Sequence, residues 1–336
     1  MATTSLAKVL QSYLVEYLPT YRNLSPNTIK SYRDTICLLL KYCRDRKGLT
    51  LEKLKLEQLN EVVIGDFLAY LESERGCSIQ TRNQRLAALH SFFRFLQSET
   101  PEHILSCQRI LDMPFKRHEH CVLSHLTPQE TKTILSQPNT ATFAGRRDVV
   151  LLSVLYDTGA RVQEVVDLYV RDVRLEAPAQ IRLTGKGRKA RVVPIMPSTV
   201  SLLTEYMHER NIDPLRQPEQ YLFANRQGGQ FTRAGISYLI HKYSAQAKSV
   251  ELGFPVDVSP HTFRHSKAMH MLQAGIPLII IRDFLGHVDL RTTEIYARID
   301  LEMKRQALEK MENPVTPQKL PSWCDDSHLL EWLRTI

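Results

Sequence analysis

The spacing of apolar residues changes once along this chain, and that change constrains the fold more than any other feature. Up to residue 115, apolar side chains recur every three or four residues, as in Ile29, Tyr32, Ile36 and Leu39, and no alternating pattern occurs. In residues 180–195, QIRLTGKGRKARVVPI, the period falls to two on both sides of a glycine-containing turn, which predicts a β-hairpin. The chain is therefore expected to be mainly helical, with a small antiparallel β-sheet in its second part.

Capping residues indicate where helices begin and end. Ser25 before Pro26 is typical of a helix start, and Thr127 with Glu130 forms a capping box. The apolar run VVLLSVLY ends at Thr158-Gly159, which predicts a helix stop. The predicted helices cover residues 5–18, 26–43, 60–73, 79–98, 146–157, 161–170, 198–210, 232–248, 260–274, 277–285 and 290–311, and a short strand at 221–224 is predicted to join the hairpin's sheet.

The length of 336 residues suits two domains better than one. We predict an all-helical first domain at residues 1–112 and a mixed α/β second domain at 126–312. Residues 113–125 between them contain a proline, mixed charges and three histidines without periodicity, which is typical of a linker. Residues 313–336 form a C-terminal tail.

The charge balance indicates a polyanionic partner. Lysine plus arginine number 44 against 36 acidic residues, giving a net charge of +8 and a pI near 9.1. The excess lies mostly between residues 116 and 300. Nucleic acid is the commonest such partner, although a surplus of this size also occurs in proteins that bind no DNA.

The cysteines and the apolar runs indicate the compartment. Six cysteines without a Cys-x-x-Cys pair predict reduced thiols rather than a disulfide framework. The first residues, MATTSLAKVLQSYLVEYL, lack the continuous apolar core of a signal peptide. The longest aliphatic run, at 276–281, is far shorter than the roughly 20 residues that span a bilayer. We therefore expect a cytoplasmic protein with no membrane partner.

Two basic features stand out in the second domain. Arg161 follows Gly159 at a helix start, where backbone N–H groups favour an anion, although pairing with Glu164 is the plainer interpretation. The hairpin tip carries five cations with no acid among them, so these charges repel unless a polyanion neutralises them; a solvated turn is the alternative. The five are Arg182, Lys186, Arg188, Lys189 and Arg191.

Further candidates lie near residue 260 and beyond. His261 and Arg264 share one face of a predicted helix. His261 and His265 resemble half of a zinc-binding HExxH motif, but Thr262 replaces the glutamate and a permanent cation separates the two histidines, so no metal is expected. His287 follows a helix-ending glycine, and Tyr296 lies nine residues later; alone, such a tyrosine is typical of amphipathic packing.

As a set, these side chains suit attack on a phosphodiester by a phenolic oxygen. Arginines can hold the non-bridging oxygens, a lysine can protonate the leaving 5′ oxygen, and an imidazole can accept the tyrosine proton. A covalent phosphotyrosine conserves the bond energy, so neither ATP nor another cofactor is required, and the sequence contains no Walker A motif. The set comprises Arg161, Lys186, His261, Arg264, His287 and Tyr296.

These motifs resemble those of the tyrosine recombinases, the phage-integrase family that includes the Xer recombinases, over residues 5 to about 305. The resemblance implies an N-terminal DNA-clamping (core-binding, SAM-like) domain and a catalytic domain. It also implies that TGAR supplies the first catalytic arginine, TGKGRKAR the hairpin lysine, HTFR the HxxR pair and LGH a histidine, with Tyr296 as nucleophile. Arg182, Arg188, Lys189 and Arg191 are predicted DNA contacts. Ala160, Gln163, Lys267 and a longer tail depart from the usual pattern.

The function implied by the resemblance is DNA strand exchange by a homo-tetramer on two duplexes, through a 3′-phosphotyrosine and a Holliday junction. The departures favour a mobile-element enzyme for integration, excision or transposition, and Xer-type dimer resolution is the alternative. A type IB topoisomerase and a non-catalytic DNA-binding accessory protein are the rival classes. The amphipathic segment HLLEWLRTI in the tail is predicted to pack on its own domain or to dock on a neighbouring protomer.

Overall fold

The structure is a computed structural model that describes residues 5–117, 125–185, 189–225, 227–255 and 258–286, together with Glu331 and Arg334. The chain divides into two compact units, Met1–Cys121 and Val122–Ile336. Each unit has a hydrophobic core built from its own residues. No helix in the described ranges is long and apolar enough to cross a membrane. The four cysteines in those ranges are free thiols.

The first unit is entirely helical where it is described. Side-chain oxygens of Ser25, Asn60 and Ser78 accept backbone N–H groups in the first turns of its three longest helices, which satisfies donors that have no partner within the helix. Short 3-10 turns lie at Leu51–Lys53, Leu56–Gln58 and Pro101–His103. The main helices are α1 (Ser5–Gln11), a π-helix (Ser12–Tyr21), α2 (Pro26–Lys47), α3 (Glu61–Ser73), α4 (Ile79–Glu99) and α5 (Ile104–Leu111).

The predicted helix 5–18 differs from the observed one in length and type. After Gln11 the helix widens into a π-helix that continues to Tyr21. Pro19 lies inside it and has no N–H to donate, and the Arg22 N–H bonds five residues back to the Tyr17 carbonyl. α5 was not predicted.

Aromatic side chains fill the core of this unit. Phe92 and Phe93 of α4 are each 2 % exposed, and Tyr13 of the π-helix is fully buried with its ring centroid 5.2 Å from that of Phe92. The Tyr13 hydroxyl donates to Ser91 Oγ at 2.9 Å, so the buried phenol has a partner. α4 is thus the central helix, against which α2, α3 and α5 pack.

The second unit combines seven helices and one sheet in its described residues. The sheet has the strand order β1-β2-β3 and is antiparallel, with Thr184 opposite Ala190 at the end of the predicted hairpin. The elements are α6 (Pro128–Leu135), α7 (Phe143–Thr158), α8 (Val162–Val166), β1 (Val173–Arg174), β2 (Gln180–Thr184), β3 (Ala190–Pro194), α9 (Pro197–Glu209), α10 (Arg233–Val250), α11 (Pro260–Gln273) and α12 (Leu278–Leu285). The fold class is confirmed: mainly α, with a small antiparallel sheet.

Two sequence predictions in this unit are wrong. The helix predicted at 161–170 ends at Val166, because the backbone beyond it pairs with residues 220–222: the Leu222 N–H donates to the Leu168 carbonyl at 2.9 Å. The strand predicted at 221–224 makes only the isolated bridges Tyr169–Tyr221 and Ala224–Gln230. In the described residues the sheet consists of β1, β2 and β3, and the third strand is β1 instead.

α7 is the buried helix of the second unit. Thr142 caps its start, and Gly159 ends it at φ +56°, a left-handed conformation that glycine adopts without strain. α9 and α11 pack on it. The predicted capping box of α6 is also present, with Thr127 and Glu130 bonding each other's backbone.

The predicted linker 113–125 is described only at its ends. Residues 114 and 116 bond to α4: the Pro114 carbonyl accepts from Arg82 Nη1 at 3.2 Å, and Asn83 bonds both the N–H and the carbonyl of Lys116. Next to its other end, the Leu126 N–H donates to Ser266 Oγ of α11 at 2.8 Å. The predicted helix 290–311 and the tail segment HLLEWLRTI fall outside the described residues, apart from Glu331 and Arg334.

Candidate active site

Three helix ends meet where the sequence predicts the site. Gly159 caps α7, Arg161 stands at the N-cap of α8, and Gly286 caps α12 at φ +66°. Arg264 reaches this place from the second turn of α11. Helix ends leave backbone groups without partners inside the helix, and here arginine side chains bond them.

Arg264 joins two of these helix ends. Its side chain is buried, at 3 % exposure, and its two terminal nitrogens donate at 2.6 Å to the carbonyls of Gly159 and Leu285. Both carbonyls lie at helix C-termini, where the partial negative charge of the helix stabilises a cation. The guanidinium is therefore held in one orientation.

Arg161 donates to the next carbonyl along the chain. Its Nη2 lies 3.4 Å from the Gly286 carbonyl oxygen, and its Nη1 donates to Glu164 Oε1 at 2.9 Å. The side chain is nevertheless 37 % exposed. Both interpretations of this residue are thus compatible: Arg161 pairs with Glu164, and it still presents guanidinium surface that an anion can reach.

Glu164 is a buried carboxylate shared by two arginines. Arg191 Nη1 and Nη2 donate to its two oxygens, each at 2.9 Å, and the backbone N–H of Arg161 donates to it at 2.8 Å. Burial raises the pKa of Glu164, but Arg191 and then Arg161 outweigh it and hold the pKa below its ordinary value. Glu164 therefore stays ionised and fixes both arginines.

Arg191, one of the predicted DNA contacts, lies largely buried between Glu164 and the end of α12. Its side chain is 12 % exposed, and Nε donates to the Phe284 carbonyl at 2.9 Å. Arg182 pairs with Asp172 at 2.7 Å. Acidic residues distant in sequence therefore pair with two of the five hairpin cations, Arg182 and Arg191. Lys189 is exposed, with no charged partner in the described part of the chain, and Arg188 lies outside that part.

His261 begins α11 beside the two arginines. Partial burial of its ring, and then the positive charges of Arg264 and Arg161, lower its pKa below the ordinary 6.5. Burial and the neighbouring His261 lower the pKa of His265 to about 4. Both imidazoles are therefore neutral at pH 7, and the His261 ring can accept a proton. In the described ranges, no group of three or more histidine, cysteine or acidic side chains is placed to hold a metal ion.

Lys186, His287 and Tyr296 lie outside the described residues, but the residues directly before two of them are at the site. A Cβ atom added to Gly185 would lie 3.1 Å from Glu164 Oε1, and one added to Gly286 would lie 2.9 Å from Arg191 Cδ. The backbone therefore approaches the arginine cluster closely just before Lys186 and just before His287. Only glycine fits these approaches without a shift of the neighbours.

Lys267, a departure from the family pattern, has a partner that the sequence did not reveal. Its Nζ lies 3.1 Å from Asp157 Oδ1 and also over the Tyr156 and Phe284 rings. Asp157 Oδ2 in turn accepts the Met196 N–H at 2.7 Å. The only sign of this pair in the sequence is the opposite charge of the two residues, and 110 positions separate them.

Comparisons with known proteins identify the family. The model of the phage integrase family matches residues 124–303, and that of the phage integrase N-terminal SAM-like domain matches residues 10–100. The chain belongs to the phage integrase family, the tyrosine recombinases. It is thus a member of a class of DNA strand-exchange enzymes.

Relatives match most of its length. A protein of Sinorhizobium fredii named as an integrase/recombinase, y4rC, is 37% identical over 99% of this chain and 98% of its own. Tyrosine recombinase XerC of Roseiflexus castenholzii is 34% identical over 86% of this chain and 88% of its own. XerD of Listeria monocytogenes is 31% identical over 85% of this chain and 92% of its own.

Solved structures share the fold. XerH recombinase, solved with its difH substrate before cleavage, has a TM-score of 0.66 at 25% identity, covering 90% of this chain and 85% of that one. The Tn1549 transposon integrase has a TM-score of 0.68 at 16% identity, covering 91% of this chain and 99% of that one, which shows the fold alone.

Proposed function

We propose that this tyrosine recombinase cuts and rejoins double-stranded DNA at specific sites through a 3′-phosphotyrosine intermediate. One observation carries the proposal: Arg264 and Arg161 donate to the consecutive carbonyls of Leu285 and Gly286, directly before His287. Two guanidiniums held at neighbouring backbone positions can bind the two non-bridging oxygens of one phosphate. Arg161 is the more exposed of the two and faces the incoming phosphate.

The six catalytic residues have distinct roles in the proposed reaction. The Tyr296 hydroxyl attacks the scissile phosphorus and gives its proton to His261, whose lowered pKa keeps the ring neutral and able to accept it. The P–O5′ bond breaks, and Lys186 protonates the leaving 5′ oxygen. Arg161 and Arg264 stabilise the charge of the pentacovalent transition state, and His287 donates a hydrogen bond to the phosphate.

Rejoining reverses these steps on a new partner. The freed 5′-hydroxyl of the other duplex attacks the phosphotyrosine, and the P–O bond to Tyr296 breaks. Two such exchanges pass through a Holliday junction, which requires four protomers on two duplexes. The overall positive charge and the exposed Lys189 on the hairpin support binding to the DNA backbone. The protein acts in the cytoplasm, where it meets its DNA.

The biological role proposed is integration, excision or transposition of a mobile element. Its support is the 37% identity, over nearly the whole length, to a relative named as an integrase/recombinase. Dimer resolution is the second candidate, because relatives named XerC and XerD match at 34% and 31%. Recombination assays decide between them: excision of a segment bounded by repeats that flank the gene supports the first role, and activity only on a chromosomal site supports the second.

Covalent trapping tests the chemistry. Duplexes from the regions flanking the gene, nicked near each candidate site, retain the protein as a complex that survives denaturing electrophoresis. Tyr296→Phe removes the nucleophilic oxygen, so we expect no covalent complex while DNA binding persists.

Tyr238→Phe is the matched control, because Tyr238 is a 68 % exposed phenol on α10, and trapping by this variant should equal that of the wild type. A covalent complex formed by Tyr296→Phe contradicts the proposal. Relaxation of a plasmid without any recombination site favours a topoisomerase instead.

A further inference from the structure

A cleft in the first unit is built from cations and aromatic rings. Its volume is about 250 Å³, and it lies between the π-helix, the start of α2, the middle of α4 and Phe115. Arg22 and Arg94 supply the charge, and Tyr17 and Tyr32 supply phenol groups. No acidic side chain lines it in the described residues. We call it the His90 cleft, after the histidine at its wall.

The two arginines of the cleft have no partner in the described part of the chain. Five other arginines of this unit pair with carboxylates there, whereas Arg22 and Arg94 make neither an ion pair nor a side-chain hydrogen bond. Unpaired cations around one cleft favour an anion. The five paired arginines are Arg33, Arg44, Arg46, Arg82 and Arg109.

His90 supplies an independent sign of a ligand. It is 8 % exposed, and its Nε2 is buried without a hydrogen-bond partner among the residues that the structure describes. The Ile110 backbone carbonyl also acts on this ring and opposes the lowering of its pKa. Buried polar atoms are rarely left without a partner, so Nε2 marks a place that a ligand can complete.

The walls of the cleft are fixed before any ligand arrives. The Tyr17 ring packs on Phe95 with centroids 4.7 Å apart, and the Arg22 N–H donates to the Tyr17 carbonyl at 3.0 Å. Phe115 meets the His90 ring edge-on at 5.3 Å. A site whose groups are already oriented loses little entropy on binding.

We propose that the His90 cleft is a phosphate-binding subsite that takes one backbone phosphate of duplex DNA. This proposal rests on the proposed function, because DNA is the partner that supplies the phosphodiester. Arg22 and Arg94 bind the phosphate oxygens, and protonated His90 donates its Nε2–H to one of them. The subsite lies in the first unit and takes no part in cleavage.

Binding at this cleft is coupled to proton uptake. Burial, and then the charges of Arg94 and Arg82, lower the pKa of free His90, so its ring is neutral at pH 7. The other groups around the ring are the Ile110 carbonyl, Arg22 and the phenols of Tyr17 and Tyr32, and Arg82 itself pairs with Glu72. A bound phosphate offsets the positive charges and accepts from the imidazolium, so the affinity for DNA rises as the pH falls.

Nuclear magnetic resonance of ring-labelled histidine in the full chain tests the site directly. Titrations from pH 5 to 8 are recorded alone, with a 20-bp duplex and with inorganic phosphate, and His90→Gln identifies the resonance. We expect the duplex to raise the pKa of His90 by about one unit, which is a tenfold preference for the protonated form. A shift with inorganic phosphate but none with the duplex overturns the DNA assignment, and a shift with neither overturns the site.

Binding of the same duplex tests the arginines. We expect Arg22→Ala and Arg94→Ala each to weaken DNA binding about tenfold. Each should also reduce the slope of the logarithm of the binding constant against the logarithm of the salt concentration by about one. Arg75→Ala is the control, because Arg75 is an exposed arginine of the same unit outside the cleft with no ion pair in the described residues; it should weaken binding less than twofold. Equal losses in the three variants overturn the proposal. Unchanged thermal unfolding of the variants excludes misfolding as the cause.

These readouts are independent of cleavage. If the protein forms no phosphotyrosine, the pKa of His90 can still rise on DNA binding. If it forms a phosphotyrosine but the pKa of His90 does not change, only the proposed phosphate subsite is contradicted. The failure of either proposal is therefore visible without reference to the other.

Discussion

Glu164 shows how single residues organise the candidate site. Its buried carboxylate binds Arg161 beside it in sequence and Arg191 from the hairpin, and the burial cost is offset by four hydrogen bonds. The Arg161–Glu164 pair is visible in the sequence as an i, i+3 spacing. The pairing with Arg191 is not visible in the sequence, because the two residues lie 27 positions apart.

A single residue, His261, is expected to set the pH dependence of cleavage. His261 accepts the Tyr296 proton only when its ring is neutral, and its pKa is lowered below 6.5. As the pH falls, the neutral ring is lost only when the pH passes that lowered pKa. We therefore expect single-turnover formation of the covalent complex to keep its rate at pH 6.5 and to decline at lower pH.

His261→Gln should slow the reaction and remove this acidic decline. His208→Gln, which replaces an exposed histidine of α9, should leave the pH profile unchanged. A decline centred above pH 6.5 in the wild type contradicts the assigned role.

At the scale of elements, helix ends build the site. α7, α8 and α12 each place one terminus at the arginine cluster, and the glycines that end α7 and α12 have positive φ. Sequence patterns predicted these termini well, because Gly159 and Gly286 follow apolar helical runs. The early end of α8 was not predictable from its own residues, since pairing with residues 220–222 decides it.

Alanine substitutions at Gly286 and at Gly275 distinguish the effect of backbone strain from the effect of steric crowding. Both have positive φ, +66° and +80°, so alanine at either costs roughly 1–2 kcal/mol. A Cβ at Gly275 meets nothing within 4 Å, whereas one at Gly286 lies 2.9 Å from Arg191 Cδ. We therefore expect Gly286→Ala to lose about 1–3 kcal/mol more stability than Gly275→Ala.

Urea unfolding measures the two stabilities, and covalent trapping measures the consequence for the site. Gly286→Ala should lose most of its trapping, because it displaces Arg191 and thereby Glu164. Gly275→Ala should retain trapping. Equal stability and equal trapping in both variants contradict this role of Gly286.

At the scale of the whole molecule, the two units have separate cores. The core of the first unit centres on α4 and its aromatic residues, and that of the second surrounds α7. Pro114 and Lys116 bond to α4, so the first unit extends beyond its last helix, α5. The separation of cores predicts independent folding.

A fragment of residues 1–117 tests that independence. Because it keeps every residue of its described core, we expect one cooperative thermal transition by circular dichroism. It should bind duplex DNA through the His90 cleft and form no covalent complex, since Tyr296 is absent. A fragment without a cooperative transition shows that the first unit depends on the second.

The sequence by itself determined the helical class, the single hairpin, most helix termini and the family, since periodicity, capping and short motifs are local. The tertiary structure decided what depends on distant partners. It paired Arg191 with Glu164 and Lys267 with Asp157 and placed β1 on the sheet edge. In the described residues it also left His90 Nε2 without a hydrogen-bond partner, in a cleft lined by Arg22 and Arg94. Burial and ion pairing join residues far apart in the chain, and no local pattern encodes those distances.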